Sequence, residues 1–304
     1  MRQGEAQARG PLSLSRRSLL LAAGGAAVGC AADAWLVEPR WIAVERIDFV
    51  IPDLGPAWQG ATVALLSDTH CGPLHPAAFI ERAVSITNDL APDVVLLLGD
   101  YVHQGVQYLE PGVEPFAKLR ARHGVYAVLG NHDHWAGRDR ALAAFRRVAV
   151  PVLTNRSTVL QHRGEGLAVG GVGDFLEDKQ RPDVAFRGVR PNTPRLLMSH
   201  NPDYAEHMPA GVRVDLMVSG HTHGGQVYIP GYGAPVLPSR YGKKYQRGLV
   251  QGPRCPVYVT RGIGTITPRV RFFCRPEVTL ISLRGERGEP PPLTARRPSG
   301  TSTT

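Results

Sequence analysis

From about Arg46 onward, apolar positions alternate between short unbroken runs and helical stripes. Ala61–Ser67 (ATVALLS) and Asp93–Asp100 (DVVLLLGD) are rich in strand formers, the pattern of strands buried on both faces. Gly124–Asn131, Gly166–Gly171, Arg195–His200 and Val214–His221 repeat it, and shorter strand-like pieces follow at Val257–Thr260 and Glu277–Leu283. Between them, Pro76–Leu90 lines up Phe79, Ile80, Ala83, Val84 and Ile86 on one stripe opened by Pro76, and Arg138–Val148 reads as a second helix. Strands alternating with helices, then a β-rich end, predict a layered α/β fold. Asp68, Asp100, Asn131, His200 and His221 each stand at or just beyond the C-terminal end of a predicted strand. Ligands of α/β sheets bind outside those carboxyl ends, so five polar residues converge on one edge.

The 304 residues are enough for one large domain, and 43% apolar residues exclude wholesale disorder. The formal charge of +9 favours anionic partners such as phosphates or an acidic membrane surface. Nucleic acid is not expected, because the excess Arg lies at the termini and no basic groove interleaved with aromatics is visible. Cys30, Cys71, Cys255 and Cys274 lack CxxC spacing, which argues against a zinc-thiolate module. Cys255 and Cys274 can pair in an oxidising compartment, a choice the sequence leaves open.

Both ends carry signals of their own. Residues 15–21 read SRRSLLL before an Ala/Gly-rich apolar run to Ala32. A basic start, a modest apolar stretch and a small-residue site read as an export signal over 1–34. Paired Arg16 and Arg17 point to the twin-arginine route and a periplasmic or membrane-attached location. Ala32-Asp33-Ala34 fits an A-x-A cleavage site, AVGC at Ala27–Cys30 loosely resembles a lipoprotein box, and an uncleaved anchor is the third outcome. Residues 35–59 then form a lead-in, 60–283 the main domain, and the Pro-, Arg- and Ser/Thr-rich 284–304 a disordered tail.

The candidate chemistry lies in SDTH (Asp68, His70), GD (Asp100), GNHD (Asn131, His132), SH (His200) and GHTH (His221, His223). Carboxylate, imidazole and amide oxygen form a mixed donor set suited to Mn²⁺, Fe or Zn²⁺ rather than calcium. Seven donors are too many for one tetrahedral ion and suit two ions that share a carboxylate, a pair that can clamp both oxygens of an in-line displacement at phosphorus. On an extended segment, i and i+2 face one side, so His221 and His223 are expected both to face the site, one for each ion. The flanking glycines are expected to supply backbone freedom and room for substrate.

These five blocks, in this order from Asp68 to His223, resemble the calcineurin-like metallophosphoesterases. The text from GHTHGGQVYIP through YGKKYQRG to CRPEVTLISL is similar to an exported or membrane-attached bacterial branch, so the resemblance covers roughly 45–283. It implies a four-layer αββα sandwich with a dinuclear site at the C-terminal ends of the strands. Asp68, His70 and His223 would hold one divalent ion, Asn131, His200 and His221 the other, with Asp100 bridging. A metal-bridging hydroxide would attack phosphorus, and His132 would protonate the leaving oxygen or steady the phosphoryl charge. Many members carry a GDxxDR run whose Asp orients that histidine; here it reads GDYVHQ. Two alternatives follow: His103 contacts the substrate phosphate instead, or Asp133 takes over part of the orienting role. Asn201 matches a position that lines the site. The implied reaction is hydrolysis of a phosphodiester or pyrophosphate, with lipid-linked substrates such as UDP-diacylglucosamine, and hence lipid A biosynthesis, among the options. A phosphomonoesterase is the nearest alternative, and a metal-bound scaffold without turnover the one from another class.

Overall fold

The computed structural model describes residues 15–103 and 105–286. An exposed helix, α1 (Arg16–Ala32), opens the chain and continues through tighter and wider turns to Arg40. Then come β1 (Ala43–Ile51), β2 (Thr62–Leu66), α2 (Ala77–Asp89), β3 (Val94–Leu97), α3 (Leu109–Val113), β4 (Val125–Ala127) and α4 (Asn131–Arg147). The second half holds β5 (Arg156–His162), β6 (Glu165–Gly171), α5 (Pro182–Ala185), β7 (Arg195–Met198), β8 (Leu216–Ser219), β9 (Gly248–Gln251), β10 (Pro256–Val259) and β11 (Glu277–Gly285).

Two sheets result, in the orders β1-β11-β2-β3-β4 and β5-β6-β7-β8-β10-β9. Within them β2, β3 and β4 run parallel, as do β6, β7, β8 and β10. Alternation along each strand divides the core. On β2, Ala64 and Leu66 face the layer of α2, α3 and α4, whose Ile80, Val84, Val113 and Phe145 pack against them. Val63 and Leu65 point the other way, into a central layer with Leu167, Val169, Leu196 and Val218 of the second sheet. The outer face of that sheet is covered by Phe186, Tyr204 and Tyr245 from α5 and short turns. The order is helices, sheet, sheet, then a thin helical layer: a mixed α/β fold with two parallel-rich sheets.

Three differences from the expected elements have physical causes. The lead-in contains β1, a half-exposed strand that pairs in parallel with β11 from the far end of the chain (Ala43 opposite Glu277). Its pattern is too polar to read as a buried strand, and its partner lies beyond any local window. Arg284 and Gly285, placed in the tail by composition, continue β11, while the tail beyond Glu286 lies outside the described residues. The helix expected from Arg138 begins at Asn131 and is kinked at Gly137 (φ 125°), so the GNHD block forms its first turn. All four cysteines are free, and Cys255 and Cys274 do not pair with each other.

Candidate metal centre

Asp68, His70, Asp100, His200, His221 and His223 meet beyond the C-terminal ends of β2, β3, β7 and β8, and all but His221 are buried. Their donor atoms form two clusters, Asp68–His70–His223 and Asp100–His200–His221. Asp100 lies between the clusters, with Oδ2 3.2 Å from His200 Nε2 and 3.7 Å from His70 Nε2. Asn131 and His132 begin α4, and the His132 N–H donates to Asp100 Oδ1 at 2.9 Å.

The backbone here is unusual. Asp68 (φ 53°), His70 (45°), Asp100 (58°), His221 (68°) and His223 (53°) are all left-handed. Such conformations cost a non-glycine residue about 1–3 kcal/mol each and persist where the surroundings over-determine them. GHTH is therefore a tight turn and not an extended segment. His221 and His223 reach different clusters because the chain turns sharply between them.

The glycines before the ligands do more than loosen the chain. A Cβ on Gly220 would lie 2.0 Å from Ser67 Oγ and 2.3 Å from Asp68 Oδ2, and one on Gly130 would lie 2.2 Å from Asp100 Oδ1 and 2.8 Å from His200 Nε2. The space they leave belongs to the ligand side chains, not to substrate. Gly224 (φ 64°) and Gly225 (81°) supply the expected backbone freedom.

Surrounding groups hold the donors in place. His200 Nδ1 donates to the Leu98 carbonyl at 2.8 Å, which turns Nε2 into the site. The Asp68 carboxylate accepts the His221 N–H at 3.0 Å, and Cys274 Sγ donates to the His223 carbonyl at 3.3 Å. Asp133, expected to orient His132, has another task. Its carboxylate accepts the N–H groups of Asp100 (2.9 Å), Tyr101 (2.8 Å) and Gly130 (2.9 Å), which locks the Asp100 turn onto α4. His132 is oriented instead by the His103 carbonyl, 3.0 Å from its Nδ1. A carbonyl only accepts, so Nδ1 carries the proton and the other ring nitrogen, Nε2, is left for substrate. The His103 ring packs parallel to His132 (centroids 5.4 Å apart) and edge-on to His70; it does not line the cavity described next.

That cavity, about 470 Å³, has Asp100, Asn131, His132, His221 and His223 in its lining. Trp135, Phe175, Leu176, Pro238 and Ile266 give it an apolar wall, and Arg240 a fixed positive charge. Asn201 also lines it, with Oδ1 capping the Asp203 N–H at 2.9 Å. Arg240 belongs to Gly231–Arg247, a stretch whose Pro, Leu and Tyr mixed with Lys and Arg suit an anionic head with an acyl tail and equally a surface loop, so no motif distinguishes it from its basic neighbours.

The donor set fits divalent ions. His70 Nε2 and His223 Nε2 face each other at 3.0 Å, and His200 Nε2 faces His221 Nδ1 at 3.3 Å. Burial holds His70 and His223 well below the usual imidazole range, and burial with the nearby His200 takes His221 to about 3. Each pair thus brings two imidazole nitrogens to one point, the arrangement of rings that share a metal ion. Asn131, in the cavity lining, has its Oδ1 buried with no partner of its own. Burial opposes charge on His200 as well, but the Asp100 carboxylate outweighs it and raises that imidazole to about 10. Burial likewise lifts the Asp68 carboxyl, to about 6. A cation would relieve both costs.

Buried carboxylates and imidazoles converging at the strand ends of a two-sheet α/β fold define a metal-binding phosphoesterase. Residues 61–225 match the family model described as calcineurin-like phosphoesterase, and the chain belongs to that family. It is 31% identical over 255 residues to Phosphodiesterase YaeI of Escherichia coli (strain K12), covering 81% of this chain and 90% of that protein. It is 26% identical to the uncharacterized metallophosphoesterase YkuE of Bacillus subtilis (strain 168), over 89% of this chain and 98% of that one. A Bos taurus protein named "Transmembrane protein with metallophosphoesterase domain" is 27% identical over 80% of this chain and 57% of its own length. The chain is therefore a metal-dependent phosphoester hydrolase whose family uses a dinuclear divalent site. The helix Arg16–Arg40, 25 residues long and containing an 18-residue window with a mean hydropathy of 1.6, is compatible with membrane attachment.

Proposed function

We propose that the chain cleaves phosphodiester or pyrophosphate bonds, with Asp68, His70 and His223 holding one divalent ion and Asn131, His200 and His221 the other across Asp100. Manganese, iron and zinc all suit these donors. When bound, the ions supply Lewis-acid polarisation of the phosphoryl oxygens and lower the pKa of a bound water. The remaining work belongs to the chain. Arg240 pairs with a phosphate oxygen and fixes the substrate's register. His132, held through Nδ1, offers Nε2 to the leaving oxygen; with a proton there the ring is the general acid. The apolar wall excludes water and accepts an organic substituent.

The observation that carries this reading is a cavity lined by residues of both donor clusters together with apolar side chains and Arg240. The apolar side chains accept the second organic substituent of a diester, which a monoester lacks. The name of the E. coli relative agrees with that choice. A lipid-linked diester or pyrophosphate is the substrate class that best suits a site on a chain with an apolar N-terminal helix. Export by the twin-arginine route, suggested by Arg16 and Arg17, would let the domain fold around its metals before crossing the membrane.

The test is hydrolysis of bis-p-nitrophenyl phosphate beside p-nitrophenyl phosphate, using the full chain in detergent with Mn²⁺ and Asp100→Asn as the blank. A diester preference that vanishes in the blank supports the proposal. A monoester preference overturns the diester assignment, and bound metal with no turnover on either compound favours the scaffold reading.

A further inference from the structure

One surface runs from the end of the apolar helix to the mouth of the metal cavity, and it combines exposed aromatic and aliphatic side chains with basic ones. It begins at Trp35, Leu36 and Val37, each about half exposed, and continues through Trp41 and Phe273 (56% and 57% exposed). The Arg275 guanidinium lies 3.9 Å from the centre of the Trp41 ring. Backbone bonds from Phe272 N to the Gln226 carbonyl and from Tyr228 N to the Phe272 carbonyl then join the loop carrying Ile229, Tyr232 and Val236. There Arg247 covers the Tyr228 ring at 4.1 Å and Lys243 the Tyr232 ring at 3.7 Å. Val236, 75% exposed, stands two residues before Pro238, where the cavity lining begins.

Basic residues outnumber acidic ones along this strip. Residues 226–247 contain Arg240, Lys243, Lys244 and Arg247 and no Asp or Glu. Of the four Arg in residues 261–275, Arg269 and Arg275 are partly exposed, Arg271 is buried, and Arg261 pairs with Glu45 and Glu277. At the helix end Asp33 is exposed, whereas Glu38 is buried and accepts the N–H groups of Phe273 and Cys274. Together with the Arg271 N–H bond to the Ala34 carbonyl (3.0 Å), that contact fixes the helix end to the domain. The strip thus begins where the end of the helical segment is anchored to the domain.

We propose that this strip seats the domain on a bilayer bearing anionic headgroups, so that the metal cavity opens at the headgroup layer. Three independent features select a membrane as the occupant. The strip continues a helix long and apolar enough to cross one. Its aromatic rings pair with Arg and Lys, the arrangement that settles at a lipid–water interface. Its positive charge complements anionic lipid. The proposal rests on the phosphodiesterase reading only in its consequence: a lipid-linked substrate could reach the ions without leaving the headgroup layer.

The test needs no turnover, so its failure is distinguishable from failure of the assigned activity. In the full chain carrying Cys30→Ser, the remaining cysteines are buried. Single cysteines are added as Phe273→Cys and Val236→Cys on the strip, and as Val50→Cys and Val159→Cys, which are exposed positions away from it. Each is labelled with an environment-sensitive fluorophore and reconstituted in phosphatidylcholine–phosphatidylglycerol vesicles containing spin-labelled lipid. Several-fold stronger quenching at 273 and 236 than at 50 and 159, weakened at 236 when phosphatidylglycerol is omitted, is the expected result. Equal quenching at all four sites overturns the proposal, as does a strip that stays unquenched because it faces water or a second copy of the chain.

Discussion

Gly130→Ala adds one methyl group at the point where two ligand residues crowd the backbone. The new Cβ would lie 2.2 Å from Asp100 Oδ1, 2.7 Å from Asp100 N and 2.8 Å from His200 Nε2, whereas ordinary contact starts at 3.4 Å. Opening the first distance to 3.4 Å moves the carboxylate oxygen by 3.4 − 2.2, about 1.2 Å. Metal–ligand distances tolerate about 0.2 Å, so the Asp100–His200–His221 cluster should lose its ion. The backbone itself accepts alanine, because Gly130 sits at φ −103°, and overpacking of this size costs about 1–3 kcal/mol. The expected variant folds, carries about half the wild-type metal per chain by elemental analysis, and hydrolyses bis-p-nitrophenyl phosphate at least ~100-fold more slowly, the usual penalty for an ångström of misplacement. Gly72→Ala is the control, since its nearest contact is an unstrained 3.6 Å to His103 Cβ. A Gly130→Ala protein with two ions and wild-type turnover would refute the reasoning.

Three further predictions separate roles around the site. His132→Ala should slow turnover about 10²–10⁴-fold with metal content unchanged, whereas His103→Ala keeps the carbonyl that holds Nδ1 and should cost less than ~10-fold; equal losses would show that the ring, not the carbonyl, orients His132. Asp133→Asn replaces an oxygen that accepts backbone N–H groups with a donor, which leaves at least one buried N–H unmatched and should lower stability by about 1–3 kcal/mol in urea titration. Wild-type stability after that change would mean that the three bonds to Asp133 are dispensable. Chelation should lower the thermal midpoint by roughly 5–10 °C if each ion is held at about a hundred times its dissociation constant, with recovery on adding Mn²⁺; an unchanged midpoint would count against metal at these buried groups.

Much of the site was legible because its signal is local. Each buried strand is a short apolar run, and the chemistry stands immediately after it: Asp68 after β2, Asp100 after β3, His200 after β7, His221 after β8. What stayed hidden depends on distance or on the backbone. β1 is stabilised by β11, more than two hundred residues away, and its half-exposed pattern carries no strong period. The partner of His132 is a carbonyl, which every residue has, so no side-chain type could announce it. Asp133 looked like an orienting acid because it neighbours His132 in sequence, but the first turn of α4 aims it at the Asp100 and Tyr101 amides. Likewise, the His221/His223 spacing suggested an extended pair, and only the left-handed turn shows why the two rings part company. Glycine is readable as freedom; its use at Gly130 and Gly220 as empty space for a neighbouring ligand emerges only in three dimensions.

The most direct test of the central claim is anomalous diffraction from crystals of the full chain grown with Mn²⁺. The account predicts two peaks per chain, one among Asp68, His70 and His223 and one among Asn131, His200 and His221, with Asp100 touching both. A single peak, or a peak among His70, His103 and His132 in place of the second, would contradict it.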